Sequence, residues 1–300
     1  MTTERSDGGS ALHLGYSLSC EEHRPEELIE FARRAEAVGF EYASISDHFH
    51  PWVEAQGNSP FVWSVLGGLA VATERLRFGT GVTCPTGRYH PAIIAQAAAT
   101  VASMMPGRFF LGVGTGENLN EHIIGDRWPR YDVRAAMMEE AVGIIRDLWT
   151  GQNISHDGEY FTVENARIYT LPDELPPIVV AASGPKSSEL AGRIGDGLIT
   201  FAADAAVAQG FEAAGEGGAV DRPKYLQVNV CWAEDEEQAK KTAYEICGNV
   251  GLKGELGNLL PTPAHYEQAV EMLTPDDVAE VIVCGPDPEA HIAKIREGQE

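Results

Sequence analysis

The sequence predicts an α/β fold of parallel strands, either a (β/α)-barrel or a doubly wound sheet. Two observations carry this. Short apolar runs alternate with segments of helical periodicity along most of the chain, and repeated strand-then-helix order implies parallel pairing. Polar and glycine-rich residues also gather just after the apolar runs, at the carboxyl ends of the strands, which is where barrels build their sites.

The elements follow in order. Leu12–Ser19 alternates and predicts a first strand; Pro25–Val38 has Leu28, Phe31, Ala32 and Ala35 at helical spacing, with Gly39 to end it. Tyr42–Ser46 is a strand leading into Asp47-His48. A helix over Pro60–Thr73 and a strand over Leu76–Thr83 come next. The alanine-rich Pro91–Met105 reads as a helix stopped by Pro106-Gly107, and Phe109–Val113 as the fourth strand. Tyr131–Trp149 is a long helix, and Asn153–Tyr169 alternates about Asp157-Gly158, a hairpin signal. Ile178–Ala182, Ser187–Ile194 and Gly197–Phe201 give strand, helix, strand. Lys224–Trp232 alternates as a seventh strand, and Glu234–Ile246 and Asp287–Gly298 are helical. The glycine-rich stretch around Gly215–Gly218 reads as a loop. The expected organisation is one barrel domain over 1–300, with a hairpin insertion near 153–170 and an irregular C-terminal insertion near 248–275. An eighth strand is expected beyond Glu300, so the barrel is expected to lack its last strand and helix; Val281–Cys284 is the alternative source.

Composition narrows the function classes. Of the 300 residues, 44% are hydrophobic, enough for a sizeable core. No apolar run reaches the roughly 20 residues of a membrane span, and the polar start MTTERSDGGS is unlike a signal peptide. The five cysteines are scattered and odd in number, without CxxC, which fits reduced thiols and a cytoplasmic setting. A formal charge of −23 repels nucleic acid and anionic membranes. Only six lysines occur. The expected partner is therefore a small molecule.

At the strand ends, His48 is the acid/base candidate, because imidazole titrates near neutrality and can take and return a hydroxyl proton. Asp47 and Trp52 flank it. An HxH pair, His48 and His50, also suits zinc, but strands Ile178–Ala182 and Gly197–Phe201 bring no further histidine, so no metal is expected. Gly114–Asn118, GTGEN, allows close backbone approach to a flat ligand, and Glu117 can carry charge there or simply face a helix N-terminus. Ser183-Gly184-Pro185, opening a helix, is a candidate anion cradle or an ordinary turn.

In this order and spacing, SDHFHPW (46–52), FGTGVTCP (78–85), RYHPAIIAQAAAT (88–100), GRFFLGVGTGENLNEH (107–122) and AGRIGDGLI (191–199) resemble the luciferase-like flavin/deazaflavin oxidoreductase superfamily. They are nearest to its branch named for coenzyme F420-dependent glucose-6-phosphate dehydrogenase. The resemblance implies an α/β fold of TIM (β/α)8-barrel type with insertions. It also implies hydride transfer between a deazaflavin, coenzyme F420, and an alcohol or carbonyl, with an FMN-dependent monooxygenase as the alternative, and a homodimer. It assigns His48 as the base, Trp52 as the aromatic beside the reacting carbon and Glu117 as the acid near the ring. Asp47, Gly81-Val82 with a cis peptide, Cys84, Asn120, Ser183 and Gly184 become cofactor-binding positions. The chain departs from the sugar-phosphate branch in one respect: neither Ile194–Asp221 nor Gly254–Val283 contains a Lys or Arg. A neutral alcohol or carbonyl compound is the expected substrate.

Overall fold

The computed structural model describes residues 12–201, 203–215 and 222–298. The strands are β1 Gly15–Leu18, β2 Tyr42–Ile45, β3 Arg77–Thr80, β4 Phe109–Val113, β5 Ile154–Asp157, β6 Thr162–Ala166, β7 Ile178–Ala181, β8 Gly197–Thr200, β9 Lys224–Leu226, β10 Val230–Cys231 and β11 Val283–Cys284. Seven of them form one sheet in the order β1-β2-β3-β4-β7-β8-β9, parallel throughout. Strands β5 and β6 pair only with each other, antiparallel, as a hairpin. The sheet curls as a barrel that is not closed among the described residues, because β1 and β9 are not paired with one another.

Two apolar layers shape the sheet. Helices Pro25–Val38, Val62–Ala72, Pro91–Met104, Tyr131–Leu148 and Pro185–Ile194 cover its outer face and supply most of the main core. Helix Pro91–Met104 buries Ile94 together with Ala95, Ala98, Ala99 and Ala102, and the small alanines let its backbone lie close to its neighbours. Helix Pro25–Val38 starts at a proline, with Arg24 N donating to Glu27 Oε2 at 2.9 Å, and ends at Gly39, whose φ of +100° favours glycine. The inner face is filled by a second cluster of Phe110, Val179 and Ile199, with Tyr42, Val82, Ala181 and Tyr225 around it. Phe110 stacks on Tyr225 at 4.9 Å. Gly79 makes room for the Phe110 ring; a Cβ there would sit inside it.

The structure corrects several sequence expectations. The run Lys224–Trp232 is not one strand: β9 pairs with β8, but β10 leaves the sheet and pairs in parallel with β11. Val281–Cys284 thus contributes to a side ribbon rather than to an eighth barrel strand. Residues 205–214 form a helix absent from the sequence reading, begun by Asp204, whose Oδ1 accepts Ala206 N at 2.8 Å. Within 248–279, a 3₁₀ turn is followed by short helices at Leu256–Leu259, Pro263–Val270 and Pro275–Ala279. Most of the 215–218 stretch lies outside the described residues. Among the described residues, no helix is long and apolar enough to cross a membrane.

The two glycine environments give opposite expectations. Gly79→Ala drives a methyl into a ring that cannot move aside and should cost about 1–3 kcal/mol. Gly143→Ala, mid-helix and facing open space, should stabilise by roughly 0.5–1 kcal/mol. Urea unfolding of the two variants measures both; a neutral Gly79→Ala would contradict the packed barrel interior.

Candidate active site

The site is built from the loops after β1, β2, β3 and β4, at one rim of the sheet. After β2 the chain turns at Ser46, whose Oγ donates to Glu21 Oε2 at 2.7 Å and accepts Cys20 N at 2.9 Å. Ser19 Oγ donates to the same carboxylate oxygen at 2.9 Å. Glu21 is thereby fixed and buried, 3% exposed, with Oε1 facing His48 Nδ1 at 3.4 Å. The His50 carbonyl stands 3.3 Å from the same nitrogen. These two neighbours of Nδ1 are both acceptors, although Glu21 Oε1 makes no hydrogen bond, and they favour the tautomer protonated there with Nε2 as the free base.

The backbone around His48 is pinned as well. Ser59 Oγ donates to the His48 carbonyl at 2.8 Å. Asn120 Oδ1 accepts Phe49 N at 2.9 Å and His50 N at 3.2 Å. His50 turns away from His48: its Nδ1 lies 2.9 Å from the Leu119 carbonyl, and its ring stacks on His122 at 5.9 Å. No cluster of three metal-ligating side chains occurs among the described residues.

Asp47 lies below, 3% exposed and saturated with donors. Thr83 Oγ1 donates to its Oδ2 at 2.6 Å, and Arg88 Nη2 and Tyr89 OH donate to Oδ1 at 2.8 and 3.2 Å. Arg88 reaches Glu121 on its other side, its backbone N 2.7 Å from Oε2 and its Nε 3.3 Å from Oε1. One buried guanidinium thus ties the loops after β2, β3 and β4 together. Burial pushes the Glu121 carboxyl up to about 7; Arg88 opposes this and Glu117 adds to it.

Trp52 lies against His48, ring centroids 4.8 Å apart, and edge-on to Tyr266 at 5.2 Å. Val53, Leu119 and Tyr266, with Leu252 and Leu260, complete an apolar cluster beside the base. Glu117 is half-buried at the start of the short helix 118–121, and its side chain makes no capping bond there. The Gly81-Val82 peptide is cis, and Val82 joins the inner-face cluster. Cys84 is buried, Sγ 3.3 Å from Thr86 Oγ1, with its thiol pushed up first by burial and then by Glu121.

Several groups suit a bound flavin-type molecule. Asn120 Nδ2 is buried without an acceptor. Trp128 Nε1, Tyr131 OH and Arg134 Nε are three further buried donors without acceptors. They are close together: the Arg134 guanidinium lies 4.3 Å from the Trp128 ring centre and 5.8 Å from that of Tyr131. Arg134 is 6% exposed and makes no ion pair among the described residues. Buried donors of this kind are costly unless an acceptor meets them. Ser183 N and Gly184 N both donate to Ser187 Oγ at 3.1 Å, and a Cβ on Gly184 would meet nothing within 4 Å. The residues present fit a flat, acceptor-rich group with an anionic tail.

Comparison with known proteins gives the family. The family model for luciferase-like monooxygenases matches residues 6–300. The chain belongs to the luciferase-like family. An F420-dependent glucose-6-phosphate dehydrogenase of Mycolicibacterium fortuitum is 38% identical, over 95% of this chain and 88% of its own length. An F420-dependent hydroxymycolic acid dehydrogenase of Mycobacterium tuberculosis (strain ATCC 25618 / H37Rv) is 39% identical, over 94% of this chain and 79% of its own. The solved structure of an F420-dependent secondary alcohol dehydrogenase in complex with an F420-acetone adduct superposes with a TM-score of 0.89 at 32% identity. That superposition covers 96% of this chain and 89% of the other. The curled parallel sheet is thus the TIM-barrel-type fold of this family.

Sequence reasoning singled out Asp47, His48, Trp52, Glu117 and Asn120, and the structure brings them to one rim. It left Glu21, Arg88, Glu121 and Arg134 without roles. A signal for Arg88 was present, since a buried Asp47 requires a cation and RYHP supplies one in the segment after β3. Free glutamate titrates near 4.5, so between that value and about 7 the folded chain holds a proton at Glu121 that the unfolded chain has released. Stability should therefore fall as pH rises through this window. Glu121→Gln should flatten that fall, measured as the unfolding free energy at pH 5 and pH 7.5. An unaltered pH dependence would contradict the assignment.

Proposed function

We propose that this chain is a coenzyme F420-dependent dehydrogenase or reductase acting on a small neutral alcohol or carbonyl compound. The observation that carries the reading is the Glu21–His48 pair, with Nε2 left free beside the Trp52 ring. The F420-dependent relatives support the deazaflavin over FMN. When bound, the deazaflavin supplies the hydride acceptor, or the donor in the reverse direction.

The protein's own groups handle the proton. His48 Nε2 takes the hydroxyl proton as the carbon gives up its hydride, and Glu21 stabilises the resulting imidazolium through the Nδ1 proton. Ser19 and Ser46 hold Glu21, and Ser59 and Asn120 hold the loop, so the base is oriented before substrate arrives. Trp52, Tyr266, Leu119 and Val53 exclude water from that side. Asn120 Nδ2 would meet a ring acceptor. Arg134, Trp128 and Tyr131, with the Ser183-Gly184 turn, would hold the anionic tail, which a chain of net charge −23 otherwise repels. Glu117 would hold charge or a proton near the ring.

Substrate class follows from the missing cations. With no Lys or Arg in 194–221 or 254–283, those segments offer no charged partner to a phosphate ester. The five cysteines, free in the structure, support a cytoplasmic setting, and a homodimer is part of the same reading.

The test is His48→Ala. Single-turnover hydride transfer should slow by roughly 100-fold or more, the usual scale of general-base catalysis. Affinity for F420, followed by tryptophan fluorescence, should change little. An unaltered transfer rate would remove His48 as the base.

A further inference from the structure

The cysteines are scattered along the sequence, yet the fold gathers three of them. Cys231, Cys247 and Cys284 pack on one small apolar cluster built on Ala243, Val278 and Ile282, apart from the barrel core. Cys231 is the second residue of β10 and Cys284 the second of β11, and the parallel ladder pairs them directly, as it pairs Val230 with Val283. Residues of neighbouring strands lie about 4.8 Å apart across a ladder. A disulfide joins Cα atoms roughly 4.4–6.8 Å apart. Both side chains lie on one face of the ribbon, since both pack on the cluster to which helix Glu236–Cys247 contributes Ala243. Both thiols are free, and neither is fully buried, so a small oxidant can reach them.

Cys247 is the poorer partner. Burial pushes its thiol up to about 12, and Glu22, Cys231 and Glu21 add to the rise. Burial raises Cys231 and Cys284 too, but Lys240 opposes the rise at Cys284. The thiolate is the nucleophile, so Cys284 is the thiol placed to react first. Its Sγ donates to the Ile282 carbonyl at 3.4 Å, a weak bond that rotation of the side chain releases. The chain between β10 and β11 matters to the site. It carries Leu252, Leu260 and Tyr266, which pack with Trp52 beside the base.

We propose that Cys231 and Cys284 are an oxidisable dithiol, which a peroxide converts to an intrachain disulfide tying together the two ends of this segment. The Cys284 thiolate attacks the peroxide O–O bond. One oxygen stays on sulfur as a sulfenic acid and the other leaves as water. The Cys231 thiol then forms the S–S bond and displaces the sulfenic oxygen as a second water. Two thiol hydrogens, with two electrons, thus pass to one peroxide. The site stands whether or not the chain oxidises alcohols.

The experiment treats the full chain with hydrogen peroxide, quenches with catalase and alkylates the remaining thiols in denaturant, followed by mass spectrometry and peptide mapping. Two of the five thiols should be lost, in one peptide pair joined through Cys231 and Cys284, with full reversal by dithiothreitol. Closing so long a loop restricts the unfolded chain, so oxidation should raise Tm by about 5 °C. Cys247→Ala should oxidise as the parent does. Cys231→Ser should form no crosslink and leave a sulfenic acid at Cys284 that dimedone traps. A crosslink through Cys247, sulfinic acid at Cys231 or Cys284 without a crosslink, or five intact thiols would each overturn the proposal. So would a Cys231–Cys284 link that leaves Tm unchanged.

Discussion

The arrangement of this rim depends on the Arg88 guanidinium, buried between Asp47 and Glu121. Strands β2, β3 and β4 end side by side, and each continues into a loop that contributes one member: Asp47, Arg88 and Glu121. Removing the Arg88 charge strands the Asp47 carboxylate in low dielectric, a loss of about 3–5 kcal/mol, whereas burial lets Glu121 hold a proton up to about 7. The network also reaches beyond its own members. Asp47 adjoins His48 in sequence, and Glu121 adjoins Asn120, which holds the amides of Phe49 and His50. Fixing the ion pair therefore fixes the peptide that carries the base. The functional side chain itself is left to a separate carboxylate, Glu21, whose position is set by hydroxyls of β1 and β2 loops.

The architecture was readable where local signals are strong. Helix Pro25–Val38 shows its apolar spacing, its initial proline and its final glycine, and the structure places its ends at those residues. Helix Ala205–Ala214 lacks a distinct apolar stripe and buries only Val207 and Phe211, so its periodicity is faint. The helices of 256–279 are four, eight and five residues long, below the length at which a 3.6-residue period can be recognised. Alternation continues through Lys224–Trp232, but pairing changes after Leu226, and a hydrogen-bonding partner is not encoded in a run's own pattern.

The site divides in the same way. His48 and Trp52 stand out because histidine and tryptophan at a strand end invite a chemical role, and resemblance gave Glu117 and Asn120 theirs. Glu21 was visible at the end of β1 but has no local feature that ties it to a histidine 27 positions later; that pairing exists only once β1 and β2 lie in register. Arg134 looks like one more surface arginine on a long helix until burial shows its Nε without an acceptor, although Nη1 donates to the Pro129 carbonyl at 2.7 Å. The absence of basic residues from 194–221 and 254–283 was fully legible, since it needs no fold to be read. On the proposed reading it separates cofactor recognition from substrate recognition: buried donors without acceptors lie at Trp128 and Arg134, and the segments expected to face the substrate carry no cation.

That separation is tested most directly by incubating the protein with oxidised F420 and either a neutral secondary alcohol or glucose 6-phosphate, following loss of the deazaflavin's visible absorbance. The expected result is reduction by the alcohol and none above background by the sugar phosphate. Preferential reduction by glucose 6-phosphate would contradict the account of the substrate side. Inertness toward F420, with oxygen consumption supported by reduced FMN, would contradict the account of the chemistry.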